Sequence, residues 1–117
     1  MNYLDQIQRG VDYIETNLGL PIAINAVALE AHMSRWHFQR MFRAMTGDTV
    51  KDYIRSRRLT HALDLLLNSN KRIIDIALDA DFESQESFTR AFKTAFDVTP
   101  AQYRKAGKRH PAHSAGW

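Results

Sequence analysis

Residues 34–42 read SRWHFQRMF, and residues 84–92 read SQESFTRAF. Both are S-x-x-x-F-x-R-x-F: the apolar positions are kept and the polar ones between them change. Apolar residues spaced three and four apart mark one face of a helix, so this chain writes the same short amphipathic helix twice. Aligned at an offset of 50, the likeness runs from 34–53 to 84–103. Ser34/Ser84, Phe38/Phe88, Arg40/Arg90, Phe42/Phe92, Thr49/Thr99 and Tyr53/Tyr103 are identical, and Arg43/Lys93 keeps its charge. A small-residue segment precedes each copy, AVALEA at 26–31 and DIALDA at 75–80. Each half therefore reads as short helix, tight turn, Ser-capped helix and Thr-capped helix start, which is a helix-turn-helix. A solenoid needs three or more repeats, so two copies point to duplication within one function.

The rest of the chain reads as helix too. Leu4, Ile7, Val11, Ile14 and Leu18 form a helical stripe over 3–18, closed by Gly19 and Pro21. Short helices are expected at 24–31 and 73–80. The third helix carries Phe38, Met41, Phe42 and Met45 and stops at Gly47, and the sixth carries Phe88, Ala91, Phe92 and Phe96. Residues 49–68 form one long helix, stopped by 68–70. Thr99, Pro100 and Gln102 make a capping box with Pro at the first helical position. Alternating β-branched runs and Asn-Gly hairpin turns are missing, so the fold class is all-α with about seven helices. Two helix-turn-helix subdomains are expected, at 1–48 and 69–106, joined by a linker helix at 49–68. Residues 107–117 have no periodicity and are expected to be a disordered tail.

Composition narrows the function. The net charge is +3, with Lys and Arg clustered in KDYIRSRR (51–58) and YRKAGKRH (103–110) and acid in DIALDADFE (75–83). Clustered cations suit a polyanion such as nucleic acid. The chain has no Cys, which excludes disulfides and thiolate metal sites and fits a reducing cytosol. No apolar run reaches the roughly 20 residues that span a bilayer, and the start MNYLDQIQRG is unlike a secretory signal. A cytoplasmic, nucleoid-associated protein without membrane contact is expected. His32, His37, His61, His110 and His113 form no metal-ligand spacing. P-loop, Rossmann and nucleophile-elbow patterns are missing as well, so neither catalysis, cofactor nor metal is expected.

In a helix-turn-helix the second helix enters the major groove and its N-terminal residues reach base edges. With the Phe positions turned inward, the outward positions of the first copy are Arg35, Trp36, Gln39, Arg40 and Arg43. Those of the second are Gln85, Glu86, Ser87, Thr89, Arg90 and Lys93. Arg can hold guanine through O6 and N7, Gln can hold adenine through N6 and N7, and Trp36 offers an apolar face to a thymine methyl. Ser34 and Ser84 cap helix N-termini whose backbone N–H groups can donate to phosphate. Two heads reading successive grooves on double-stranded DNA sit about 34 Å apart, and a helix of some 20 residues is about 30 Å long. A monomer carrying both heads is therefore expected on DNA.

These residues carry a resemblance. I24-N-A-V-A, SRWHFQRMFRAMTG, YIRSRRL, DIAL, FESQESFTRAF and FDVTPAQYR, in this order and spacing, resemble the DNA-binding domain of AraC/XylS transcription regulators, and within them the MarA, SoxS and Rob group. The likeness runs from about residue 7 to 104. It implies an AraC-type domain over 1–106 that binds an asymmetric promoter site as a monomer. It also implies activation through RNA polymerase, by its α C-terminal domain or σ factor, in a stress or drug-resistance response. By motif match, base reading falls to Trp36, Gln39 and Arg40, and to Gln85, Glu86, Ser87 and Arg90.

Four positions depart from the family pattern. His32 and Asp81 stand where it has Gly in the turn, so both are expected to be left-handed. Ala23 stands where it has a Ser or Thr cap. Glu86 stands where the group favours Gln, so the second half is expected to read a changed base or to bind more weakly. Arg55, Arg57 and Arg58 offer phosphate contacts or internal pairing, with Arg58 mainly structural. Two other readings remain: a helical protein-interaction module, and the DNA-binding fragment of a larger ligand-sensing regulator.

Overall fold

The computed structural model describes residues 2–109. Among them lie seven helices and no strand: α1 (Tyr3–Thr16), α2 (Ile24–Glu30), α3 (Arg35–Thr46), α4 (Val50–Asn68), α5 (Ile73–Asp79), α6 (Gln85–Phe96) and α7 (Pro100–Arg109). The last helix runs past the expected border at 106 and takes in Gly107 to Arg109, so the reading of those three residues as disordered tail is corrected. The Gly107 backbone lies close to Leu67 of α4, a neighbour that a periodicity search of the tail does not see. Residues 110–117, the remainder of that expected tail, lie outside the described residues.

The chain divides into two compact units within α4, between Arg58 and Leu59, rather than at the ends of the linker helix. In the first unit α1, α2 and α3 close on a core of Ile7, Ile14, Leu18, Val27, Ala28, Ala31, Phe38 and Phe42, completed by Val50 and Ile54 of α4. Phe38 and Phe42 are wholly buried, and each contributes roughly 1.5–3 kcal/mol by leaving water. Gly10 is part of that core. A Cβ there would stand 2.5 Å from the Phe38 ring, so the missing side chain is what lets α1 approach α3. Two stripe residues are corrected: Leu4 is 61% exposed and Met45 also faces solvent. Each lies on the terminal turn of its helix, beyond the reach of the core that its neighbours fill.

The second unit repeats the plan. Leu59, Ala62 and Leu66 of α4 take the place of α1, and Ile76, Ala77, Ala80, Phe82, Phe88 and Phe92 complete the core. The aromatic rings stack edge-on in series, Phe82 on Phe88 at 5.4 Å and Phe92 on Phe96 at 4.8 Å between centroids.

Both turns are left-handed, as the family resemblance implies: His32 has φ 56° and Asp81 φ 66°. The backbone N–H of Met33 donates to Ala28 O in one turn, and that of Phe82 to Ala77 O in the other, each at 3.0 Å. From these bonds the register before each recognition helix is 49, whereas that after it is 50. The second turn thus holds one extra residue, Glu83, between Phe82 and the Ser84 cap. A third left-handed non-glycine residue, Asp97 at φ 66°, closes α6 where the left-handed Gly47, at φ 80°, closes α3. The Ala23 cap of α2 makes no side-chain hydrogen bond, while Thr99 and Gln102 form the expected box at 3.1 and 2.9 Å.

Each unit also holds an inward arginine. Arg58 is buried, and its guanidinium donates to Leu18 O at 3.2 Å and Leu20 O at 2.7 Å, tying down the turn that follows α1. In the second unit Arg104 donates to Leu66 O at 3.0 Å and Ser69 O at 3.3 Å, closing the end of α4. Leu66 lies in the last turn of α4, where carbonyls lack helical partners, so the Arg104 cation there answers both the hydrogen-bonding need and the helix dipole. Arg58 satisfies turn carbonyls beside it.

Candidate nucleic-acid interface

The first recognition helix is α3. Ser34 starts it by accepting a hydrogen bond from the His37 N–H at 3.1 Å. Because Phe38 and Phe42 point inward, Arg35, Trp36, Arg40 and Arg43 all face solvent, with Gln39 half-buried beside them. Trp36 is 66% exposed, so it covers no core. The Arg40 guanidinium lies over its ring, 5.0 Å from the centroid. A cation over an aromatic face is held by the ring's negative quadrupole, which orders two large side chains on the outer surface. The helix carries Arg35, Arg40 and Arg43 and no acid, a formal charge of +3.

The second recognition helix is α6. Gln85, Glu86, Arg90 and Lys93 face solvent, and Thr89 is half-buried. Its charge is +1, from Arg90 and Lys93 less Glu86. Ser87 has a use that the sequence reading did not assign. The Ser87 N–H donates to Ser84 Oγ at 3.1 Å, and the Ser84 N–H donates to Ser87 Oγ at 3.3 Å. This reciprocal box satisfies two backbone donors of the first turn and places the Ser87 hydroxyl within the cap. Glu86 lies in the same turn, where a carboxylate is favoured by the helix dipole. It makes no ion pair among the described residues, although Arg90 follows four positions on.

The linker cations sort differently. Arg57 pairs with Glu15 at 2.9 Å and Arg58 is buried, so these two serve the first unit. A contact absent from the sequence reading joins α1 to α3: Tyr3 packs edge-on against His37, with centroids 5.6 Å apart. No helical periodicity links residues so far apart in the chain. Among the described residues no group of three or more metal-ligating side chains is assembled. None of their helices is long and apolar enough to cross a membrane.

Comparison with known proteins identifies the arrangement. The family model of a helix-turn-helix domain matches residues 27–106. The chain is 39% identical to the regulatory protein SoxS of Salmonella typhimurium, over 89% of this chain and 97% of that protein. It is 44% identical to the multiple antibiotic resistance protein MarA of the same organism, over 80% of this chain and 74% of MarA. It spans only 33% of the transcriptional regulator Rob, at 44% identity over 82% of this chain. Among solved structures, the DNA-binding domain of the global transcriptional factor AdpA, in complex with a target DNA, superposes with a TM-score of 0.76. That match has 27% identity and covers 91% of this chain and 96% of that one. The chain belongs to the AraC family of helix-turn-helix transcription regulators, DNA-binding proteins of the kind of MarA and SoxS.

Proposed function

We propose that this regulator binds an asymmetric promoter site as a monomer, with α3 and α6 each reading a major groove. Arg35, Trp36, Gln39, Arg40 and Arg43 then contact one half-site, and Gln85, Glu86, Ser87, Thr89, Arg90 and Lys93 the other. The N-termini capped by Ser34 and Ser84 face phosphate. The observation that carries this reading is the solvent-facing polar set on two capped helices whose inward Phe pairs are the same. An isolated chain with two unlike heads suits an unlike pair of half-sites, whereas two-fold dimers suit palindromes.

Bound there, the protein acts as an activator that recruits RNA polymerase through its α C-terminal domain or σ factor. The name of the multiple antibiotic resistance protein MarA supports a drug-resistance or wider stress response. Cytoplasmic, nucleoid-associated placement follows from that role.

The test is selection from a random duplex library, followed by stoichiometry, salt dependence and transcription from a promoter bearing the selected site. One chain per asymmetric duplex, with affinity falling steeply in salt and transcript rising, is the expected result. Two chains on a palindrome would overturn the monomer, and unchanged transcript would overturn the activator.

A further inference from the structure

The two heads differ in kind. α3 carries +3 and no acid, and α6 carries +1 with a carboxylate in its first turn. At the position of Trp36 stands Glu86, and at that of Arg40 stands Arg90. In α3 this pair is closed, guanidinium on indole at 5.0 Å. In α6 the corresponding pair has the spacing and orientation that favour an ion pair on a helix, yet none forms, and both groups face solvent. Glu86 is therefore an exposed anion on a surface that meets a polyanion.

An anion so placed weakens every phosphate contact near it. It offsets that loss only where DNA offers a hydrogen-bond donor, because an ionised carboxylate can accept and cannot donate. In the major groove the donors are the exocyclic amino groups of cytosine and adenine. Adenine presents its amino group next to the N7 acceptor, which repels a carboxylate, whereas cytosine presents N4 alone. Guanine N7 and O6 and thymine O4 are acceptors that Glu86 disfavours.

We infer that Glu86 is a specificity residue that makes the α6 half-site cytosine-selective, and that α3 supplies the larger share of sequence-independent affinity. The inference rests on the DNA-reading role proposed above. It assigns a division of labour: α3 holds the duplex through charge, and α6 rejects wrong sequences through repulsion. Repulsive elements confer discrimination as effectively as attractive ones. The dipole role of Glu86 at the start of α6 accounts for helix stability, but it predicts no base preference.

The experiment compares the unaltered chain with Glu86→Gln, Glu86→Ala and Arg40→Ala. Each is put through selection from the same random duplex library, then through titration on duplexes carrying all four base pairs at every selected position. Arg40→Ala marks the half-site read by α3. In the other half-site the unaltered chain prefers cytosine at one position by roughly 5- to 100-fold. Glu86→Gln exchanges that preference for adenine and binds unrelated duplex about two- to fivefold more tightly. Glu86→Ala loses the preference without gaining another.

An enriched site whose base preferences are the same in Glu86→Gln overturns the assignment of Glu86 and leaves the DNA-reading role standing. A shift in affinity alone, or a shift confined to the half-site marked by Arg40→Ala, overturns it equally. No enrichment by the unaltered chain overturns both readings.

Discussion

Arg58 is a cation placed almost wholly inside a protein whose function calls for cations outside. Its two carbonyl partners explain the placement. Arg58→Met keeps the bulk of the side chain but leaves the turn after α1 without its donor, and a lost charged hydrogen bond of this kind costs about 2 kcal/mol. Urea unfolding of the two forms should show the loss, while base preference in the selected site stays the same. Gly10→Ala tests the opposite kind of error. Alanine favours a helix interior by up to about 1 kcal/mol over glycine, but a methyl 2.5 Å from a fully buried Phe38 ring must displace it. Overpacking costs about 1–3 kcal/mol, so the expected outcome is a lower melting temperature. The structural role of Arg58 was legible in the chain but its carbonyl partners were not, and Gly10 sat unremarked within a regular stripe. The partners that decide both roles lie far away in the chain, Phe38 in α3 and the carbonyls of Leu18 and Leu20 in the turn after α1.

At the scale of the element, helix ends carry most of the correctable strain. α2 begins at Ala23 without a side-chain cap. Ala23→Ser supplies an acceptor for the first-turn N–H groups and should stabilise the chain by about 1 kcal/mol, read as a higher urea midpoint. The left-handed His32 in the following turn gives a parallel gain: His32→Gly relieves a conformation that costs a side-chain-bearing residue about 1 kcal/mol. Tyr53 adds a pH dependence within the first unit. Burial, and after it the neighbouring carboxylate of Glu15, hold its hydroxyl above the ordinary value of 10.0. The folded state therefore binds that proton more tightly than the unfolded chain. The resulting stability is intact below pH 10 and is lost as pH rises through the raised value. Unfolding midpoints should fall across that range in the unaltered chain, and less so in Tyr53→Phe.

At the scale of the molecule, two separate cores make two separable responses. Phe42 lies in the first cluster and Phe92 in the second. Truncating either to Ala removes about 3–5 kcal/mol of packing. Hydrogen exchange should then report lost protection concentrated in residues 3–58 for Phe42→Ala and in residues 59–109 for Phe92→Ala, since opening proceeds in cooperative local units. A uniform loss over the chain in both variants would refute that independence. The repeat itself predicts the sites, because each Phe occupies the same place in its own copy.

Much of this protein is written in its sequence. The left-handed turns at His32 and Asp81 were implied by the resemblance to a family that has Gly there, while the duplicated Ser-to-Tyr frame, the Phe pairs and the caps at Ser34, Ser84 and Thr99 follow from local rules of periodicity and backbone geometry. Those rules act within a few residues, so one chain suffices to apply them. The outward set on α3 and α6 was legible for the same reason, since inward Phe residues dictate which positions face out. Tertiary structure alone decided what long-range contact decides. It buried Gly10 and Arg58, turned Leu4 and Met45 to solvent, joined Tyr3 to His37 and paired Arg57 with Glu15. The register of one helix against another is set by packing between residues far apart in the chain, and no helical period carries that information.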